Sequence, residues 1–129
     1  MDSQKYHADF YEELGDIRND FRNYNLTNLI VSKIKGKSVL DIGCGNGYLL
    51  GVLSKKGIKT FGIEPNKELI RLAKLMHPKL HIFQGFVEEI GKVKNKVDTI
   101  TMIDVLEHIK DDYTQIKKIY KHINERGQL

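Results

Sequence analysis

The spacing of apolar residues changes repeatedly along the chain. Short runs of consecutive apolar, β-prone residues alternate with stretches where apolar residues recur every three or four positions, which predicts buried strands separated by amphipathic helices. The strand candidates are Lys37–Ile42, Lys59–Ile63, Leu80–Gln84 and Val97–Ile103. Helices are expected over Asn46–Lys56, closed by Gly57, and over Lys67–Met76, stopped by His77-Pro78. A further helix is expected over Tyr113–Asn124, with Ile116, Ile119, Tyr120 and Ile123 on its apolar side and Asp111-Asp112 at its positive end. Gly85–Ile90 reads as a turn followed by one helical turn, Lys92–Lys96 as a charged loop and Glu125–Gly127 as a turn. Gln128-Leu129 then read as the first residues of a fifth strand. Upstream, Lys5–Lys35 reads as helical in two pieces. Tyr6, Phe10, Leu14 and Ile17 form one stripe, the asparagine-rich stretch predicts a break near Asn23–Asn25, and Leu26, Leu29, Ile30 and Ile34 form the buried side of a second helix ending at Gly36.

Strands alternating with helices over short loops predict an α/β fold with a mainly parallel sheet. Residues 1–36 form an N-terminal helical segment, a lid or a sheet cover, and residues 37–129 the α/β domain. A strand that opens two residues before the end predicts that the domain is incomplete at its C-terminus. The fourth strand is then expected to be an exposed edge, through which a homodimer can form.

Composition narrows the function classes. A chain of 129 residues with 40% hydrophobic and 29% charged content suits one globular domain. The net charge of +4 comes mostly from scattered lysines, densest at Lys35/Lys37, Lys55/Lys56/Lys59 and Lys92/Lys94/Lys96. Without interleaved aromatics these read as solvated helix ends and loops rather than a nucleic-acid groove. Cys44, the single cysteine, allows no internal disulfide and suits a reducing, cytoplasmic setting. No apolar run reaches the length of a membrane span, and no membrane partner is expected.

The candidate chemistry centres on Val39–Leu50, an apolar strand pattern passing through Gly43, Gly45 and Gly47 into an apolar helical one. Strand, tight turn and helix N-terminus fit that order, and such a turn lets a ligand approach bare backbone. The NAD fingerprint G-x-G-x-x-G is not met, because Tyr48 stands at its third glycine position. An acid, Asp41, precedes the glycines, and a second, Glu64, ends the next strand. Cys44 reads as a small packing residue within the turn.

Four segments in series resemble the class I S-adenosylmethionine-dependent methyltransferases. Val39–Gly47 is similar to the first motif of that family, Gly62–Asn66 to the second, Gln84–Glu88 to the third and Val97–Ile109 to the fourth. The last looks closest to the subgroup containing quinone-biosynthesis O-methyltransferases. The resemblance implies a Rossmann-like three-layer α/β/α fold with strand order 3-2-1-4, the start of strand 5, and C-terminal strands missing. It implies S-adenosylmethionine as cofactor and S-adenosylhomocysteine as product. Gly43, Gly45 and Gly47 would face the methionine part. Glu64, followed by Pro65, would accept hydrogen bonds from both ribose hydroxyls. Asp41 would reach the ammonium end, or else bond the backbone of the turn. Gly85, Phe86 and Val87 stand where the family contacts adenine; many relatives carry Asp at the position of Phe86, so Phe86 either packs on the ring or lies in the core with Glu88 supplying the polar contact. Ile103 and Asp104 end the fourth strand, where the family backbone meets the methionine amine.

Glu107-His108 follow that strand, on the carboxyl edge where α/β sheets bind ligands. A histidine suits removal of a proton from a hydroxyl acceptor. Alternatively the pair orients the loop, or Asp104, Glu107 and His108 contribute to a divalent-metal site as in metal-dependent relatives; no metal is included in the expected site. The expected reaction is methyl transfer to oxygen or nitrogen of a small-molecule acceptor. An RNA or protein acceptor docked by the lysine groups, and a non-catalytic binding module, are the alternatives. The remaining histidines, His7, His77, His81 and His122, read as surface or edge residues, and Tyr6, Phe10 and Tyr11 as helix core or lid.

Overall fold

The computed structural model describes residues 21–129. The expectations for Lys5–Ile17, and for Tyr6, His7, Phe10 and Tyr11 among them, lie outside the described residues. Five parallel strands run in the order β3-β2-β1-β4-β5: β1 (Ser38–Ile42), β2 (Lys59–Glu64), β3 (His81–Gln84), β4 (Val97–Thr101) and β5 (Ile123–Gln128). The helices are α1 (Phe21–Lys33), α2 (Tyr48–Lys55), α3 (Lys67–Met76) and α4 (Asp112–Tyr120), with short 3₁₀ turns at Val87–Lys92 and Leu106–His108. The Rossmann-like arrangement and the order 3-2-1-4 with a fifth strand are as expected.

Alternation along β1 separates the layers. Leu40 and Ile42 join Ile63, Ile100, Val87 and Ile119 in one buried cluster. Val39 packs on the other face with Leu49 and Leu53 of α2 and with Ile30, Val31 and Ile34 of the α1 region. Both faces of the central strand are thus covered, as a parallel sheet requires.

Three expectations need correction. Helix α1 runs unbroken through Asn23–Asn25, because asparagine costs a helix only a fraction of a kcal/mol, roughly 0.6 relative to alanine. Packing sets its phase: Thr27, Ile30, Val31 and Ile34 face inward, whereas Leu26 and Leu29 are exposed. Next, α4 stops at Tyr120, and Tyr120 is exposed while Ile119 is fully buried. Ile123 opens β5 instead of continuing the helix.

That earlier start gives β4 a partner on its outer side, so β4 is not a sheet edge. The pairing is irregular: from Val97↔Ile123 to Thr99↔Gln128 the register advances two residues on β4 and five on β5. Asp98 organises the irregularity. Its carboxylate accepts from Asn124 Nδ2 (2.7 Å), Lys37 N (2.7 Å), Ser38 N (3.2 Å) and Ser38 Oγ (3.1 Å). These donors hold its carboxyl below the usual carboxylate range, the Lys37 N–H contributing most. Gln128 Nε2 donates to Lys33 O at 2.7 Å, linking β5 to the end of α1.

Candidate functional site

The glycine turn leaves the C-terminal end of β1, where the N–H groups of Gly43 and Cys44 both donate to Ile63 O (2.8 and 3.1 Å). Gly43, Gly45 and Gly47 have φ of 74°, 57° and 75°, a region that L side chains rarely adopt. Space reinforces the requirement. A Cβ on Gly43 would lie 2.5 Å from Val105 Cγ2, and one on Gly47 2.9 Å from Leu80 Cδ1 and 3.1 Å from Ala73 Cβ. Gly47 also caps α2, accepting from Gly51 N at 2.8 Å.

Glu64 ties three loops together. It is buried at the end of β2; Oε2 accepts from Gly45 N and Oε1 from Asn66 N, each at 2.9 Å, while its main-chain oxygen accepts from Gly85 N at 3.1 Å. A carboxylate has about four acceptor positions, so backbone anchoring and recognition of two hydroxyls are compatible in one side chain. Asn66 in turn caps α3, its Oδ1 accepting from Glu68 N (2.9 Å) and Leu69 N (3.2 Å). Pro65 lies half-buried between the two.

Asp41 is buried in the middle of the sheet, level with Gly62 on β2 and Thr101 on β4. Its Oδ1 accepts from Thr101 Oγ1 at 2.7 Å rather than from the backbone of the turn. Burial raises its pKa to about 7, assisted by the negative charge of Glu64 and opposed by the Thr101 hydroxyl. Cys44 is buried too, and where Gly62 lacks a side chain a Cβ would meet Cys44 Sγ at 2.7 Å. Burial, then Asp41 and Glu64, push its thiol well above the ordinary range, which suits packing and not nucleophilic chemistry.

The rim is built by the ends of β3 and β4. Phe86 is 54% exposed, which removes the core alternative, and its N–H donates to Glu89 Oε2 at 3.0 Å. Glu88 is exposed beside it, whereas Val87 sends its side chain into the main core. Past β4, Ile103 packs half-buried in the cluster of Val39, Leu49 and Leu53. Asp104 is exposed with φ 54°, the one non-glycine residue with positive φ among the described residues. That backbone turn brings Val105 over Gly43. Glu107 and His108 follow, both exposed, with His108 Nε2 3.7 Å from Glu107 Oε1. Among the described residues no three His, Cys, Asp or Glu side chains gather in a way that could hold a metal ion.

Sequence reading missed Asn66, Thr101, Val105 and Glu89. Asn66 was findable as an N-cap signal just ahead of a helix. The others act through contacts between strands or loops that carry no local pattern. A cleft of about 380 Å³ between α2 and α3, lined by Tyr48, Val52, Lys55, Met76 and His77, contains none of the expected site residues. There the His77 ring lies against Gly51, and burial, with Lys55, lowers its pKa. His81 is exposed, and His122 Nδ1 lies 3.0 Å from Lys118 O.

Lysines mark the opposite edge of the sheet. Each strand begins at or just after one: Lys37, Lys59, Lys79, Lys96 and Lys121. The last turns of the helices carry Lys33, Lys55, Lys74 and Lys117/Lys118. No helix among the described residues is long and apolar enough to cross a membrane.

Comparison with known proteins agrees with this geometry. Residues 6–129 match a family described as a methyltransferase domain. The chain is 33% identical over 100 residues to a ubiquinone biosynthesis O-methyltransferase of Coxiella burnetii, covering 74% of this chain and 43% of that protein. It thus spans less than half the length of this curated relative. A TehB-like SAM-dependent methyltransferase from Corynebacterium glutamicum superposes with a TM-score of 0.76 at 24% identity, covering 96% of this chain and 68% of the other. The plantazolicin methyltransferase BamL, solved with SAH, gives 0.73 at 20% identity, over 94% and 48%. These two likenesses define the fold. On the family match and this architecture, the chain belongs to the methyltransferase domain family, the class I S-adenosylmethionine-dependent methyltransferases.

Proposed function

We propose that this chain forms the S-adenosylmethionine-binding part of a methyltransferase acting on oxygen or nitrogen of a small-molecule acceptor. The observation that carries the reading is the Glu64 anchor, a buried carboxylate fixed to both the glycine turn and the start of α3. It stands where two ribose hydroxyls would donate to it, with Asp41 available to an ammonium group and bare backbone at Gly43 and Gly45 between them. Phe86 offers an exposed ring face to adenine in place of a hydrogen-bonding acid. Backbone at Gly85, Ile103 and Asp104, with Pro65 beside Glu64, completes the proposed contacts.

The cofactor, when bound, supplies a methyl group made electrophilic by its sulfonium. The protein then has to align the acceptor and take its proton. His108 is the proposed base, with the Glu107 carboxylate 3.7 Å from its Nε2. The ubiquinone biosynthesis O-methyltransferase relatives favour a hydroxyl acceptor. An RNA or protein acceptor docked on the lysine groups has less support. Lys37, Lys59 and Lys96 stand at the starts of β1, β2 and β4, the edge of the sheet opposite the glycine turn, and a strand of this length spans ~17–20 Å.

Calorimetry with S-adenosylmethionine and S-adenosylhomocysteine, with NAD as control, tests cofactor choice. Both S-adenosyl compounds should bind and NAD should not. Glu64→Gln should weaken them by at least about tenfold, since hydrogen bonds to charged groups carry roughly 1.5–3 kcal/mol. Mass spectrometry over a panel of phenols, catechols and amines then tests the acceptor. Methylation of RNA or protein alone would overturn the small-molecule reading, and binding without turnover on any panel would favour a binding module.

A further inference from the structure

The mechanism above leaves one buried polar contact without a role, the 2.7 Å hydrogen bond from Thr101 Oγ1 to Asp41 Oδ1. Both side chains are at least nine-tenths buried, and they face one another because Asp41 and Thr101 are register partners on adjacent parallel strands. On the other side of Asp41 its register partner is Gly62, which has no side chain to compete. Among the described residues Thr101 is the one side chain that donates to Asp41. A threonine hydroxyl has one proton, and here it goes to the carboxylate, which fixes one oxygen and with it the rotation of the group.

We propose that Thr101 is a positioning residue for the cofactor, orienting the Asp41 carboxyl group toward the ammonium end of the methionine moiety. The inference rests on the proposed cofactor reading. Its physical basis is that a hydroxyl hydrogen bond favours the charged form of a carboxyl that burial otherwise disfavours. The groups around Asp41 contribute nothing equivalent. Glu64 of β2 is a like charge, Cys44 of the turn is a buried neutral thiol, and the cluster of Val39, Leu49 and Leu53 on that face is apolar. Without Thr101, the carboxyl would be neutral over more of the physiological range and free to rotate, and an ammonium group would lose its partner.

The test compares two ligands that share the adenosine part. S-adenosylhomocysteine carries the ammonium group; 5′-methylthioadenosine does not. Calorimetric Kd values would be measured for the full chain with Thr101, Thr101→Val and Thr101→Ser between pH 6 and 8.5. Thr101→Val keeps the shape without the hydroxyl and should weaken S-adenosylhomocysteine about tenfold at pH 7.5 while leaving 5′-methylthioadenosine within about twofold. The acid limb of its pH profile should move to higher pH, because the neutral carboxyl now persists longer. Thr101→Ser should restore both affinity and profile. In an Asp41→Asn background, Thr101→Val should have no further selective effect, which keeps the test valid if the single variant folds poorly. Equal weakening of both ligands, or no weakening, overturns the proposal while leaving the cofactor reading intact. If the unmodified chain binds neither ligand, the cofactor reading fails and the proposal with it.

Discussion

A carboxylate in the interior of a parallel sheet is unfavourable unless its charge is used, and Asp41 has one hydroxyl to set against the desolvation and the nearby charge of Glu64. With a folded pKa of about 7 against the ordinary aspartate value of 3.8, the folded chain holds a proton that the unfolded chain releases earlier. The stability that the neutral carboxyl confers is present below about pH 4 and is lost as pH rises through about 7. Asp41→Asn should therefore remove a slope from the stability profile, gaining on the unmodified chain by a few kcal/mol between pH 5 and 8. Calorimetric melting at several pH values reads this directly, and parallel profiles for the two proteins would contradict it. Gly43 presents the opposite situation, a residue whose lack of a side chain is used. Gly43→Ala combines a φ of 74° with a 2.5 Å approach to Val105 Cγ2. It should cost about 1–3 kcal/mol in denaturant unfolding and weaken S-adenosylhomocysteine as the turn shifts. The glycines and both acids were legible because their chemistry is written at fixed local spacings. Thr101 was not, because its meaning comes from a register partner sixty residues away in sequence.

At the level of elements, periodicity located nearly every helix and strand, and its errors share one cause. Helix phase was inferred from all apolar residues, whereas tertiary packing selects one face from several available. In α1 the inward set is Thr27, Ile30 and Val31, continued by Ile34 just past its end, with Leu26 and Leu29 left in solvent. In α4 the chain stops its helix at Tyr120 so that Ile123 can enter the sheet beside Val97. The cap signals fared better because they act within a few residues, as with Gly57 after α2 and Asp111, whose Oδ1 accepts from Thr114 N at 3.2 Å ahead of α4. Adjacent substitutions separate the two faces of α4. Ile119→Ala should cost about 2–5 kcal/mol, as for other fully buried aliphatic side chains. Tyr120→Ala, at a position 63% exposed, should stay within about 0.5 kcal/mol. Equal losses in urea unfolding would mean that α4 presents a different side to the sheet.

The topology also sorts charge across the whole molecule in a way that net charge conceals. Every strand is parallel, so strand ends and helix N-termini share one edge, and strand starts and helix C-termini share the other. Lysines accompany the starts, whereas Glu64, Asp104, Glu107, Asp111 and Asp112 accompany the ends, joined by Glu68, Glu88 and Glu89 in first turns. Part of this is the ordinary complement of helix dipoles, acids near N-termini and lysines near C-termini. At the edge where the cofactor would enter, the acids outnumber Lys67, Lys92 and Lys110, which leaves an excess of negative charge there. S-adenosylmethionine carries one more positive charge than S-adenosylhomocysteine, at the sulfonium, so the potential should favour the donor over the product. Salt screens such a field over a Debye length of ~10 Å at 0.1 M and ~3 Å at 1 M. Raising ionic strength from about 0.02 to 0.5 M should therefore weaken S-adenosylmethionine several-fold while changing S-adenosylhomocysteine much less. Titration calorimetry of both compounds at the two salt concentrations measures the ratio of their affinities. A ratio that does not move with salt would mean that the acids around the pocket are screened or paired when ligand arrives, and that the donor is distinguished from the product by contact at the sulfur alone.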